Sequence, residues 1–530
     1  MRAERRKEIE QQMRGEHVEK KPAKNGLFTV IALVYIAACA AFLYYVFKLN
    51  VLPTAYLIAG IAVIAVISLF TLPVMISRRG KRERKIAAAI ISLIFIALFG
   101  ITTYYLSTTS TFLDKITEKK VVTEDFHILV RAEDMPQELE AAAQAALAEG
   151  EEGEDADAAS AAKLSEKEIE EIAFAKITGT VIGTYNTNDQ MYSKAKVMLQ
   201  EKVPVDYAYD EVPATTVEYL LNGTHNAILL PAASYEALQS EGVYDLDTNT
   251  RILYTLKVPK ETIDRTKAVN VTKEAFNIFI SGADEGGMRT DVNMVATVNP
   301  VTHKVHLTSI PRDFYVTLPS KEAKDKLTHS SIYGIDETVS AVENELGISI
   351  NYYVKVNYES LKGVVDAIGG IDVESEHDFT TSGMGKLNGH HFVVGTNHLD
   401  GPAALAFCRE RHSFMEGDMT RNENQQAVLK AILKKATSSK EILKSYTSIL
   451  DAVSGNLETD MSADEMAQLV KMQLSKMPEW EISNSAIKGA TGSDYCYSLG
   501  RNASVVYPQP DEITKAVEEI VKTEMMELNS

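Results

Sequence analysis

Arginines and aspartates recur where apolar runs end in the second half of this chain. Asp284 follows AFNIFISGA. Arg289 and Asp291 precede MVATV. Arg312 and Asp313 close SIPRD, and Lys326 and His329 lie in DKLTHSSIYG. Arg409 and Arg411 end the helical run after Pro402, and Asp418, Arg421, Asn424 and Gln425 surround the start of the next helix. Guanidinium forks take phosphate oxygens two at a time, so this set suits a pyrophosphate or a string of phosphates. A helix N-terminus adds backbone donors and a favourable dipole. Arg421, Asn424 and Gln425 share one helix face, being three and four positions apart. Aspartates among such arginines suit a hard divalent cation that bridges phosphate oxygens. The competing reading is a set of exposed ion pairs, each worth little.

The elements that must hold these residues follow from the pattern. Ala275–Ser281 reads as a buried strand. Met294–Val298 and Val305–Ile310 read as a hairpin around Asn299–Lys304. Ile335–Leu346 is helical, Tyr352–Val356 a strand, and Tyr358–Ile368 a helix closed by Gly369 and Gly370. Ile371–Glu374 is a short strand. Asp400 caps a helix from Pro402, and Thr420 with Glu423 forms a capping box for a long helix ending near Lys435. The reading is an α/β layered domain over 273–530. Upstream, Lys176–Val258 alternates strands and helices, which predicts a small α/β accessory domain within 107–272. Ser107–Lys120 reads as a stalk, Thr123–Arg131 contains a strand-like FHILV, and Glu133 to about Ala162 reads as a disordered acidic insertion.

The N-terminal part is of another kind. Leu27–Phe47, Ala55–Ile76 and Ile86–Leu106 are charge-free and long enough to cross hydrocarbon, so 27–106 is expected to hold three transmembrane helices. The 1–26 tail carries eight Lys/Arg, the Lys48–Thr54 loop one, and the Arg78–Lys85 loop six. That order predicts a cytoplasmic tail and an extracellular C-terminal part, in a multi-pass protein of the cell membrane. Net charge is −19, and Glu133–Ile172 alone has 14 acids against two lysines. An acidic chain with so small a cytoplasmic part is not expected to bind nucleic acid. Cys408 and Cys496 are the two cysteines outside the spans, and their pairing is open. The histidines, including His390, His391 and His412, show no zinc spacing. Gly282, Gly286 and Gly287 do not make a phosphate-binding P-loop, since no GK[ST] follows.

RTDVNMVATVNPVTHKVHLTSIPRDFYV, DKLTHSSIYG, YYVKVNYESLKGVVDAIGGIDV and FCRERHSFMEGDMTRNENQQAVLKAILKK resemble, in order and spacing, the LytR-CpsA-Psr family. The three spans and the accessory domain resemble its capsule-associated branch. The resemblance implies a three-layer α/β/α catalytic domain with an apolar lipid pocket. It implies a phosphotransferase that moves a glycopolymer, teichoic acid or capsular polysaccharide, from polyprenyl-pyrophosphate to peptidoglycan. By motif position it implies that Asp284 and Asp291 hold Mg2+ (or Mn2+). Arg289, Arg312, Lys326, Arg409, Arg411, Arg421 and Gln425 would then surround the pyrophosphate, with Arg312, Asp313, Arg409, Arg411, Asp418 and Arg421 serving catalysis. The group that takes the acceptor proton stays open between Asp291, Asp313 and a metal-bound hydroxide. SGADEGGMRTD is more compact than the corresponding loop of many relatives. The alternatives are a non-catalytic scaffold for lipid-linked glycopolymer, and a transcriptional attenuator, for which the 26-residue tail and eight-residue loop are too small.

Overall fold

The computed structural model describes residues 26–50, 52–77, 81–117, 123–151, 164–187, 189–240, 242, 244–260, 269–283, 289–382, 387–414, 417–436, 457–476 and 478–525. They fall into two units.

The first unit holds three helices, Gly26–Leu49, Thr54–Ile76 and Arg82–Ile116, each long and apolar enough to cross a membrane. The Tyr35 and Ser68 hydroxyls lie 3.1 Å apart, and the Phe42 and Phe99 rings stack at 5.0 Å. Lys48 and Asp114 form a 3.0 Å ion pair, which brings the C-terminal ends of the first and third helices together. The third helix therefore runs through most of the segment expected to be a stalk. The helix Ala463–Lys476 belongs to this unit too, with Lys471 Nζ 3.3 Å from Asn50 Oδ1.

The second unit contains two larger sheets. The first is built from β1 (Thr123–Arg131), β2 (Val181–Tyr185), β3 (Asp206–Asp210), β4 (Ile228–Pro231) and β5 (Thr250–Pro259), in the order β3-β2-β4-β1-β5. β1 lies antiparallel between β4 and β5, and Ile128, Leu129 and Val130 are fully buried. The accessory sheet thus begins 53 residues before Lys176. FHILV, apolar but for His127, is the kind of run a strand covered on both faces shows. The acidic stretch is not wholly irregular: Gln137–Glu151 is a helix, as an Ala/Glu-rich run favours. Residues 152–163 lie outside the described ones.

The second sheet is built from β6 (Phe276–Ala283), β7 (Thr290–Asn299), β8 (Lys304–Ser309), β9 (Tyr352–Val356), β10 (Leu457–Thr459) and β11 (Glu481–Ala486), in the order β10-β9-β6-β7-β8-β11. β6, β7 and β8 form an antiparallel meander, while β9 joins β6 in parallel. Side chains alternate between two helical layers, as the two-residue period of a strand requires. Phe279 and Val295 pack with Val342 of helix Ile335–Leu346 and Ile520 of helix Pro510–Met525. Ile278, Ile280, Ala296 and Leu307 pack with Leu429 and Leu433 of helix Gly417–Ala436. This is the α/β/α arrangement expected. The long helix starts at Gly417, one turn before Thr420, so Thr420 is a buried helical residue and not its cap.

Lys321, whose side chain is 1% exposed, ties the turn of the hairpin Tyr315–Leu318/Ala323–Lys326 to the first sheet. Its Nζ lies 2.9 Å from Glu124 of β1 and 2.7 Å from Asp189, which also caps the helix Gln190–Lys202. The hairpin Gly489–Cys496/Arg501–Pro508 lends Cys496, Leu499 and Val505 to the accessory core, whereas Cys408 lies in the core around Phe407 and Val428. Both cysteines are free thiols.

Candidate active site

β6 and β9 end, β7 begins and β8 ends at one edge of the larger sheet. A cavity of about 390 Å³ opens there. Its character changes along one helix. Arg421, Gln425, Val428, Leu429 and Ile432 of helix Gly417–Ala436 all line it. Spacings of four, seven, eight and eleven keep them on a single stripe. The stripe is charged and polar at the helix N-terminal end and apolar beyond it. Arg289, Asp291, Arg312, Arg409 and Arg411 join the charged end, while Met294, Val356, Leu361 and Leu405 join the apolar wall.

Asp291 is the carboxylate at the centre of the charged end. It accepts a 3.0 Å hydrogen bond from Arg312 Nη1 and a 3.2 Å one from the Tyr358 hydroxyl. Burial pushes its pKa up, but Arg312, Arg421 and Arg289 more than offset this and hold it below the usual aspartate value. The hairpin explains the pairing. Met294 is opposite Ser309, so Asp291, near the start of β7, and Arg312, just after β8, meet at the same end of the sheet.

Asp313 and Lys326 stand behind Arg312 and do not line the cavity. Asp313 lies 3.8 Å from Arg312 Nε and 3.8 Å from Lys326 Nζ. The Lys326 backbone is held by Asp325, a fully buried carboxylate that accepts from Lys326 N, His329 Nδ1 and Ser498 N, each at 2.7 Å. His329 therefore serves the framework.

Helix Gly401–Arg409 presents Arg409 at its last residue. Its N-terminus is capped by Asp400, which accepts from Ala403 N. At its other end, Asn424 Nδ2 donates to Phe407 O and Gln425 Nε2 to Cys408 O, both at 3.3 Å; these are carbonyls of the kind a helix end leaves unsatisfied. Asn424 and Gln425 thus clamp the arginine-bearing helix to the long helix. Gln425 Oε1 is buried with no hydrogen-bond partner among the described residues. Burial pushes the neighbouring Cys408 thiol up to about 12, which keeps it protonated and inert. Arg411 and His412 are exposed at the rim.

Of the residues proposed for the site, Arg289, Asp291, Arg312, Arg409, Arg411, Arg421 and Gln425 come together around one cavity. Asp284 lies outside the described residues. So does the Asp418 side chain, though its backbone is in the first turn of the long helix. Tyr358 was not among them. The guanidinium of Arg409 sits 4.5 Å from its ring centroid. The available signal was its place, one residue after a helix-capping Asn at the end of a strand. For a divalent cation the donors are hard oxygens, the Asp291 carboxylate and the Gln425 carbonyl. Mg2+ is commonly held by one or two carboxylates with substrate phosphates completing its shell, and this set fits that pattern. No cluster of three or more His, Cys, Asp or Glu suited to a metal occurs among the described residues.

An arginine-ringed mouth over an apolar pocket has the chemistry to take an amphiphilic anion, in an α/β/α protein with three helices long and apolar enough to cross a membrane. Residues 249–521 match the model of the LytR_cpsA_psr family, and the chain belongs to that family. It is 36% identical over 270 residues to a Bacillus mycoides protein named polyisoprenyl-teichoic acid–peptidoglycan teichoic acid transferase TagU, covering 48% of this chain and 86% of that one. An Enterococcus faecalis protein of the same name is 37% identical over 219 residues, covering 39% of this chain and 70% of that one. Among solved structures, B. subtilis TagV aligns at 29% identity with a TM-score of 0.40, covering 47% of this chain and 97% of that one.

Proposed function

We propose that this chain is a phosphotransferase that moves a glycopolymer, a teichoic acid or capsular polysaccharide, from a polyprenyl-pyrophosphate carrier to peptidoglycan. The observation that carries the reading is the single helix stripe from Arg421 to Ile432. It lines one cavity with cationic groups at one end and apolar groups at the other, as a pyrophosphate with a lipid tail requires. The names of the relatives point the same way.

The acceptor hydroxyl oxygen forms a bond to the phosphorus nearer the sugar. The bond from that phosphorus to the bridging oxygen breaks, and polyprenyl phosphate leaves with the electron pair. The hydroxyl proton is released, and the product is a phosphodiester. Arg312, Arg409 and Arg421 bind and orient the pyrophosphate and offset charge on the phosphoryl and leaving oxygens. Asp291 orients Arg312. Arg289 and Arg411 extend the positive field to the rim, and Lys326 and Asp313 support Arg312 from behind. A divalent cation, Mg2+ or Mn2+, held by Asp291 and the Gln425 carbonyl together with Asp284 would supply Lewis-acid stabilisation of the same oxygens.

The site works on the outer face of the cell membrane. The basic tail and the basic Arg78–Lys85 loop support a cytoplasmic N-terminus. The Lys48–Asp114 and Lys471–Asn50 contacts support a shared side for the loop after the first span, the exit of the third, and a helix from the C-terminal half.

The test is transfer of a labelled, polyprenyl-pyrophosphate-linked oligosaccharide to peptidoglycan oligomers by the full chain in nanodiscs. Metal-dependent product that is lost in Arg312→Ala is expected. Undiminished transfer by Arg312→Ala overturns the site, and tight donor binding without transfer moves the assignment to a scaffold.

A further inference from the structure

Tyr358 touches two charged residues of the mouth, Asp291 and Arg409. Its hydroxyl donates to Asp291 Oδ2 at 3.2 Å, its ring carries the Arg409 guanidinium at 4.5 Å, and it lines the cavity itself. The local chain holds it in place. β9 ends at Val356, in register with Gly282 of β6, so Tyr358 emerges at the sheet edge that forms the site. Asn357 caps the helix Tyr358–Ala367 by accepting from Ser360 N at 2.9 Å, and Ser360 Oγ accepts in return from Asn357 N at 3.0 Å. This reciprocal cap fixes the backbone on both sides of the tyrosine. The ring is only half-buried, so filling a core does not account for it.

We infer that Tyr358 is a positioning residue for the transfer reaction. Its hydroxyl sets the direction of the Asp291 carboxylate, and its ring sets the direction of the Arg409 guanidinium, so that both face the same pyrophosphate. The inference rests on the phosphotransferase reading above.

The two roles separate by substitution. Tyr358→Phe keeps the ring under Arg409 and removes the hydroxyl. Tyr358→Leu removes both. A hydrogen bond to a charged acceptor and a cation–π contact differ in strength, so the two variants differ in kind. With the full chain in nanodiscs, initial transfer rates are measured against donor concentration, alongside binding of undecaprenyl pyrophosphate and thermal melting. Tyr358→Phe is expected to lower kcat about ten-fold or more while donor KM stays within about two-fold. Tyr358→Leu is expected to show the same loss in kcat plus a rise of about three-fold in donor KM and in the dissociation constant. Phe then rescues binding but not turnover, which a merely structural role would not produce. The inference is overturned by a Tyr358→Phe variant with wild-type kcat. It is also overturned if both variants share identical kinetic constants, or if both lose activity only in proportion to lost folded protein. An active wild type with an unaffected Phe variant removes this role alone. A wild type that binds donor and transfers nothing removes the phosphotransferase reading and this role with it.

Discussion

Replacing Asp291 by Asn removes one negative charge from the charged mouth and keeps the side chain's shape. Asp291 stays ionised at neutral pH because Arg312, Arg421 and Arg289 together outweigh its burial. In the absence of a cation, that charge opposes an incoming pyrophosphate. Arg312 holds Asp291 at 3.0 Å, so a phosphate oxygen on the far side of the same guanidinium would stand about 6 Å from the carboxylate. Two unit charges at about 6 Å interact by about 3 kcal/mol at an effective dielectric constant near 20. The mouth is partly exposed, and salt and solvent reduce this to about 1.4 kcal/mol, ten-fold in affinity. Asp291→Asn is therefore expected to bind undecaprenyl pyrophosphate about ten-fold tighter than wild type in EDTA. It should lose the gain that wild type shows on adding Mg2+, and it should not transfer. Fluorescence titration with and without Mg2+, beside the transfer assay, measures all three. Binding in EDTA that is unchanged or weaker, together with retained transfer, would refute the assignment of Asp291 as a cation-linked orienter.

Three other perturbations follow from the structure. Lys321→Met leaves Glu124 and Asp189 buried without their cation, which costs about 3–5 kcal/mol and a clear drop in melting temperature at pH 7. Burial, only partly offset by Lys321, already holds the Glu124 pKa above its ordinary value. A carboxylate with a raised folded pKa costs stability at high pH, so the variant's deficit should shrink as pH falls and the acid protonates. A deficit that grows toward acid contradicts this. The Cys408 thiol, pushed up to about 12 by burial, should resist an aromatic disulfide reagent at pH 8 in the native protein and react once urea unfolds it; rapid native labelling counts against it. In intact cells, a membrane-impermeant maleimide should label Asn50→Cys but reach Lys81→Cys only after lysis, and the opposite pattern would invert the topology.

Much of this architecture can be read from local pattern. The spans stand out as uninterrupted apolar runs. The strands of the β6–β8 meander, the helix Ile335–Leu346 and the Asp400 cap follow from periodicity and capping chemistry over a few residues. Even the Arg312–Asp291 pairing follows once the hairpin register is known. What depends on distant contacts is harder to read. Thr123–Arg131 is an interior strand because Phe126 meets Pro231 and Leu256, more than a hundred residues away, and the acidic stretch between hides the link. Lys326 has a basic residue's expected position by motif, yet the Asp325 clip directs it behind Arg312 and out of the cavity wall. Tyr358 looks like an ordinary first-turn residue until Arg409 is brought to its ring and Asp291 to its hydroxyl.

In this mechanism a phosphoryl group, and not a bare sugar, moves to the acceptor. A donor carrying 32P only in the phosphate nearer the sugar tests this directly with the full chain, Mg2+ and peptidoglycan oligomers. The label is expected to leave the lipid and appear in peptidoglycan, linked to the glycan through a phosphodiester. Label that stays in polyprenyl pyrophosphate while the glycan alone is transferred would contradict it.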